Sequence, residues 1–394
     1  MFESNKRVLP QYIPHLLPNF LSKYNRDEWS RSIDEMKNFV KPDASPGSPC
    51  ALISNRNDDY MRRMGERFND IVLDRIEKIL SFSLEEIILM GRKERMDHGM
   101  MDPVRVFVKN EPHKLEKIKQ GRVRLIMSVS LVDKMIEMLI SRHLCKLEIQ
   151  NWQHLPSKPG IGFTRADNEQ VFNDIMDCGL DMSYADISGW DMNVKQWMIR
   201  DEAEAAIMLC VNSSEQWEHL MRCKAIIESE SIYQFSDGIL VAPRFKGIVN
   251  SGKLRTSRGN SFMRVRIADL VGSRKTIAAG DDTVENTVEN AKEKYLRYGV
   301  VLKDYVPVED SFEFCSHYYA PGRTYAVNHE KLVMNLLHQE PKTNLELRMT
   351  MIGFEDEMDS HPQYDDILRM IESVGYFEVE GPHYEINKDP ENAD

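Results

Sequence analysis

Three aspartates are the residues of this chain best suited to chemistry: Asp186 in DISGWD, and the adjacent pair Asp281 and Asp282 in AAGDD. Carboxylates are hard oxygen donors that suit Mg²⁺, which keeps several waters and takes one or two such groups from a protein. Phosphoryl or nucleotidyl transfer uses two divalent ions roughly 4 Å apart, one activating the attacking hydroxyl and one steadying the leaving pyrophosphate. A strand-end aspartate and an Asp-Asp pair at a hairpin tip meet this need if their elements are neighbours in one sheet. Neither motif is specific alone, because an Asp-Asp dipeptide is commonly a solvated turn and two aspartates five apart recur by chance. None of the eleven histidines stands in HxH or HxxxH spacing, and the six cysteines form no CxxC pair, so neither a zinc site nor a disulfide framework is expected.

The elements that must hold these carboxylates are written in the periodicity. LDMSYADISGW reads as a short strand ending near Asp186, followed by an alanine-rich helix over about 194–211, and SRKTIAAGDDTVEN reads as strand, turn and strand around the Gly-Asp-Asp tip. Helical spacing recurs over 26–40 and 60–90, separated by the DASPGSP break at 43–49. VRVFV at 104–108 predicts a strand, 118–130 a turn then a strand, 131–147 an amphipathic helix, and KPGIG at 158–162 a loop. Two alternating runs about a Gly-Pro predict a hairpin over 376–387. Helices mixed with hairpins, without strict strand–helix alternation, indicate an α+β architecture.

Composition sets outer bounds. The 394 residues are 42% hydrophobic and 29% charged, which predicts a sizeable core. No run of about eighteen apolar residues occurs, and the N-terminus lacks a signal-peptide pattern, so a soluble protein of a reducing compartment is expected. The net charge of −12 is unevenly spread: residues 355–394 hold thirteen Asp/Glu against two Lys/Arg. By contrast, 104–125 carries seven basic residues against two acidic, and 244–275 carries nine against one. Two basic stretches flanking the carboxylate motifs predict a groove that tracks a phosphate backbone.

The order of the remaining motifs resembles the RNA-dependent RNA polymerases of positive-strand RNA viruses, most closely the sobemovirus-like group. The resemblance runs from about residue 43 to 320. DISGWD (186–191) looks like motif A, SGKLRTSRGNS (251–261) like motif B and AAGDD (278–282) like motif C. Lys303 stands in the place of the motif D lysine, and FCSH (314–317) in that of motif E. Upstream, FVKNEPHKLEKIKQGRVRLI (107–126) is similar to motif F and ASPGSP (44–49) to motif G. The resemblance departs at His113, where picornavirus-type relatives place an arginine.

It implies a right-hand polymerase whose antiparallel palm sheet is backed by helices. Residues 1–180 would be mainly fingers, and 181–325 mainly palm with a fingers insertion near 212–245. A small thumb with the acidic segment would fill 326–394. Asp186 and Asp281 would hold two Mg²⁺ ions, with Mn²⁺ as a substitute and Asp282 as an auxiliary ligand, and Lys303 would protonate the departing pyrophosphate. Lys109, Arg122 and Arg124 would bind the triphosphate. Asp191 and Asn260, with Ser251, would read the 2′-hydroxyl, a group that both donates and accepts. Thr256 would orient Asn260 and Asp191, and Gly280 would keep the tip clear of side chains where substrate lies. Ser45, Gly47, Lys117 and Gly252 would touch RNA, and Cys315 and Ser316 the primer strand. Trp190 and Trp197 are expected in the palm core.

The implied partners are template and product RNA, ribonucleoside triphosphates, and either other viral replication proteins or a protein primer, with no intrinsic membrane span. The implied location is the host cytoplasm, with recruitment to membrane-bound replication complexes. A reverse transcriptase shares the metal logic, but Asp191, Asn260 and the Gly before the Asp pair argue against it. A catalytically silent RNA-binding body is disfavoured by the presence of all three aspartates.

Overall fold

The computed structural model describes residues 2–14, 16, 24–109, 111, 113, 115–338, 343–358 and 360–373. The hairpin expected over 376–387, most of the acidic segment and Lys114 lie outside the described residues. Internal contacts divide the chain into two units, Met1–Cys315 and Ser316–Asp394.

In the first unit, eight strands form two sheets: β1 Val104–Val108, β2 Leu125–Ser128, β3 Met182–Ile187, β4 Tyr233–Gln234, β5 Leu240–Val241, β6 Thr276–Ala279, β7 Asp282–Asn286 and β8 Leu302–Pro307. The sheet that carries the aspartates runs β6-β7-β3-β8 and is antiparallel throughout. Its register sets Ala185 opposite Thr283 and Asp186 opposite Asp304, with a bulge between Asp186 and Ile187. The segment before the Arg165 helix lies along β6: Ala278 N donates to Pro156 O at 2.9 Å, and Lys158 N donates to Ala278 O at 2.7 Å. The other sheet runs β2-β1-β4-β5, and its β1–β4 pair is parallel. Residues 233–241 thus return to the strands of the first basic stretch, over a small core of Val104, Val106, Met127, Tyr233 and Ile248.

Most expected elements have their counterparts, with three differences. The helical run 60–90 is broken into Asn57–Met64, Arg67–Leu80 and Leu84–Leu89, interrupted by the left-handed Gly65 and by Ser83, whose hydroxyl caps the third helix. Residues 115–119 form one short helix before the turn into β2. The helix expected to be amphipathic, Leu131–Gln150, is buried nearly all round, including Asp133, Glu137 and Glu148.

Those buried acids explain the largest correction. The basic stretch 244–275 is not mainly a groove wall, because Arg255, Arg258, Arg264 and Arg266 are each no more than 5% exposed. Arg255 meets Glu137, Glu202 at 3.0 Å and Glu228 at 3.1 Å, while Arg258 meets Glu148 at 2.8 Å and also Glu202. Lys253 and Lys224 join through Glu228 and Asp133, and Arg75 continues the chain from Asp133 to Asp102. Burial opposes ionisation of Glu228, but Lys253, Arg255 and Lys224 hold its carboxyl well below the usual carboxylate range. The charges therefore knit the Leu131, Gln196 and Glu215 helices to the Thr256–Val271 helix.

In the second unit, the strands His317–Ala320 and Arg323–Ala326 form an antiparallel hairpin. The helices His329–Leu337, Asn344–Met358 and Tyr364–Ser373 contribute to a core of Ala326, Val333, Leu336, Phe354, Met358, Ile367 and Ile371.

Removing one member of a buried ion network strands its partners and costs about 3–5 kcal/mol. Arg255→Met should therefore lower the urea-unfolding free energy by about that much. A loss below about 1 kcal/mol would show that the network is not what fastens the helix.

Candidate active site

β3 carries Asp186 to the end of the strand, where Gly189 in the left-handed region (φ 56°) reverses the chain into the short helix Trp190–Asn193. Asn193 closes that turn by donating its amide to the carbonyls of Ser188 and Gly189. Asp191 is thereby set back from Asp186, and its carbonyl accepts from Val249 N at 2.9 Å. Ala279 pairs with Asp282, so Gly280 and Asp281 form a two-residue tip between β6 and β7. Gly280 has φ 65° and no atom within 4 Å of where a Cβ would stand. The torsion angle of the tip is thus what favours glycine here, with no protein atom pressing on the position.

Because β7 and β8 flank β3, Asp282, Asp186 and Lys303 sit on neighbouring strands with Asp281 at the tip. Their fields interact. Burial, then the charges of Asp281 and Asp186, pushes the Asp282 carboxyl up to about 7, against the opposing charge of Arg264. Lys303 Nζ lies 2.6 Å from Asp186 Oδ2 and 3.0 Å from Asp304 Oδ2, and these two carboxylates hold its ammonium strongly protonated. Carboxylate oxygens are the donor type that a hard divalent ion takes, and one of these three is already met by a lysine cation. Among the described residues, no three His, Cys, Asp or Glu side chains form a ready-made metal cage. Bound waters and substrate oxygens would have to complete the coordination.

Beside these carboxylates, Asn260 Nδ2 donates to Asp191 Oδ1 at 3.2 Å. Burial and the charge of Asp281 raise the Asp191 carboxyl, while Asn260 and Arg124 lower it. Asn260 comes from the Thr256–Val271 helix, and so do two further contacts that motif spacing did not signal. Ser261 Oγ accepts from Gly280 N at 2.9 Å, and the buried Arg264 donates Nε–H to the carbonyl of Asp281 at 3.0 Å.

The profile of the family described as viral RNA-directed RNA-polymerase matches residues 2–173 and 181–329, a stretch that holds every carboxylate above. The chain belongs to that family. It is similar to the replicase polyprotein P2AB of Southern bean mosaic virus, 34% identical over 310 residues, covering 76% of this chain and 32% of the polyprotein. It is also similar to protein P1-P2 of Potato leafroll virus, 33% identical over 365 residues, covering 85% of this chain and 33% of that protein. Cocksfoot mottle virus P2AB is 31% identical over 375 residues, which is 90% of this chain and 38% of the polyprotein. The chain spans about a third of the length of the curated relatives it matches.

The other expected site residues fall into distinct settings. Lys109 and Arg124, at the facing ends of β1 and β2, both pair with Glu111, at 2.8 and 3.2 Å. Arg122 is exposed and bonds to Gln120, and Lys117 is exposed on the short Leu115 helix. His113 bonds through its ring to the carbonyl of Lys109 at 3.2 Å. Ser251 and Gly252 are tied to β2: Met127 N donates to Ser251 Oγ, and Gly252 N donates to Met127 O. A Cβ on Gly252 would stand 2.5 Å from that same carbonyl.

The Thr256 hydroxyl faces the carbonyls of Asn250 and Lys253 at 2.9 and 3.1 Å. It therefore closes the turn before the helix that carries Asn260. Gly47 (φ 69°) is buried against Val129 and Ser130, while Ser45 is half-buried and accepts from Gly47 N. Cys315 and Ser316 are consecutive left-handed residues (φ 52° and 59°), and burial, then Asp282 and Asp281, raises the Cys315 thiol. Trp190 is buried, and Trp197 is half-buried beside Tyr298.

The raised Asp282 pKa fixes the sign of a pH effect. Between about pH 4 and 7 the folded chain keeps a proton that the unfolded chain has lost, so stability falls as pH rises through that window. In metal-free buffer, Asp282→Asn should therefore raise the melting temperature more at pH 8 than at pH 5. Equal changes at both pH values would mean that Asp282 ionises like an ordinary surface carboxylate.

Proposed function

We propose that this chain synthesises RNA on an RNA template by two-metal nucleotidyl transfer from ribonucleoside triphosphates, with release of pyrophosphate. The observation that carries the reading is the Asn260–Asp191 pair at 3.2 Å beside the carboxylates of Asp186, Asp281 and Asp282. A carboxylate–amide pair there can hold a 2′-hydroxyl, and a deoxyribose would leave it unsatisfied. In this reading sheet β6-β7-β3-β8 belongs to the palm. Fingers fill 1–180 with an insertion near 212–245, and a small thumb lies in 326–394. The return of β4 and β5 to the β1–β2 sheet supports the insertion.

Mg²⁺, or Mn²⁺ in its place, would supply charge neutralisation of the triphosphate and a more nucleophilic 3′-hydroxyl. Asp186 and Asp281 would hold the ions, with Asp282 as auxiliary. Lys109, Arg122 and Arg124 would receive the triphosphate, the first and last by exchanging Glu111 for phosphate oxygens. Lys303, kept protonated by Asp186 and Asp304, has a proton to give the leaving pyrophosphate once it swings off Asp186. Ser251 and Gly252 would meet the template backbone, Ser45, Gly47 and Lys117 the RNA more broadly, and Cys315 and Ser316 the primer strand.

Other viral replication proteins or a protein primer complete the proposed partners, and membrane-bound complexes in the host cytoplasm the proposed setting. Among the described residues no helix is long and apolar enough to cross a membrane, so attachment to such complexes would come through a partner or by another route.

Primer extension on an RNA template, with each metal and with ribo- and deoxynucleotides, tests the reading. Asp281→Asn should cut synthesis by about 10³-fold or more while RNA affinity is kept, and near-normal synthesis would overturn the metal assignment. Asn260→Ala should reduce discrimination against deoxynucleotides by about tenfold or more, and slow correct incorporation less than that. The opposite pattern would remove the 2′-hydroxyl role.

A further inference from the structure

One buried cation in the first unit is used differently from its neighbours. The guanidiniums of Arg255, Arg258 and Arg266 face carboxylates directly. Arg264 is fully buried, yet among the described residues it pairs directly with no carboxylate. Its Nε–H goes to the main-chain carbonyl of Asp281 at 3.0 Å. Glu285 is reached only through the hydroxyl of Tyr295, which lies 3.5 Å from Arg264 Nη1 and donates to Glu285 at 2.6 Å. The guanidinium also lies over the rings of Trp190 and Tyr295, with centroids 5.6 and 5.5 Å away.

The placement follows from helical spacing. Residues 260 and 264 are four apart and 261 and 264 three apart, so all three share one face of the Thr256–Val271 helix. Along that face Asn260 holds Asp191, Ser261 holds the N–H of Gly280, and Arg264 holds the carbonyl of Asp281. The tip that presents Asp281 is thus gripped on two consecutive residues from below, while its carboxylate remains exposed. The Trp190 ring, one residue before Asp191, steadies the same guanidinium, so the turn after β3 and the β6–β7 tip share a single support.

We infer that Arg264 is a positioning residue of this centre, which fixes the main chain of the Gly280–Asp281 tip and with it the spacing at which the aspartates receive a divalent cation. The inference rests on the metal-holding role proposed for Asp186, Asp281 and Asp282. Arg264 does not touch substrate, so its loss should act through cation affinity and not through RNA binding. A lysine would keep the charge but not the planar contact with two rings and a directed N–H.

Mn²⁺ binding to the full chain, followed by the free-ion electron paramagnetic resonance signal, is the direct test, alongside affinity for a labelled RNA strand and thermal melting. Arg264→Lys and Arg264→Met should each weaken Mn²⁺ binding by about tenfold or more, with RNA affinity preserved. Ser261→Ala removes the other half of the grip without removing a charge, and should shift Mn²⁺ binding the same way by a smaller factor. It keeps the test decisive if Arg264→Met does not fold. Mn²⁺ affinity unchanged in Arg264→Lys and Ser261→Ala would overturn the inference. So would a parallel loss of Mn²⁺ binding, RNA affinity and melting temperature in both, which is the mark of a purely structural residue. Asp281→Asn serves as the control: if it abolishes Mn²⁺ binding while the Arg264 variants retain it, only the role of Arg264 falls. If Asp281→Asn itself binds Mn²⁺ like the parent, the metal-holding reading is at fault.

Discussion

A guanidinium taken out of water must find an anion or an acceptor, and this requirement organises the first unit. The Thr256–Val271 helix and the residue before it bury four arginines. Arg255, Arg258 and Arg266 fasten the helix to acids carried by the Leu131, Gln196 and Glu215 helices. Such pairs add little net stability over apolar packing, but they are unforgiving about placement, because a displaced partner is left charged and dry. They therefore fix where the helix lies. From that fixed position Asn260, Ser261 and Arg264 reach the turn after β3 and the tip between β6 and β7. The geometry around the aspartates is inherited from a charge network deeper in the protein.

What could be read from the chain was whatever depends on local pattern. VRVFV alternates as β1 does, and TIAA-GD-DTVEN shows its hairpin by a glycine flanked by β-branched and small residues. The aspartates stood out because motif order added to weak single signals, and the family match covers the residues that carry them. The basic stretch 244–275 was misleading for a definite reason. A count of charges along the sequence cannot register that the balancing carboxylates, Glu137, Glu148, Asp201, Glu202 and Glu228, come from three other helices. One partial signal was present: the 131–150 segment sets Asp133, Glu137 and Glu148 among closely spaced apolar residues, and acids buried there need cations. Arg264 had no sequence signal, since its target is a backbone carbonyl and any residue at the tip supplies one.

The site also shows how the same charge serves differently according to its surroundings. Asp186 and Asp282 lie on adjacent strands, yet Asp186 is met by an exposed lysine and Asp282 by buried surroundings and the fields of its neighbours. Glu111 likewise meets both Lys109 and Arg124, each of which is partly open to solvent. The pairs of the Thr256–Val271 helix lie inside, and those of Lys303, Lys109 and Arg124 lie at the surface.

The segment 156–158 laid along β6 has a further consequence. A sheet edge with free N–H and C=O groups is a template for a foreign strand, and a hairpin beside a reactive tip is a poor place for such an encounter. At Ala278 both backbone groups are already taken, by Pro156 and Lys158 of the same chain. The hairpin that must keep its carboxylates in register is thereby withdrawn at that point from strand exchange with other copies, a protection that matters where many copies of one protein are crowded together.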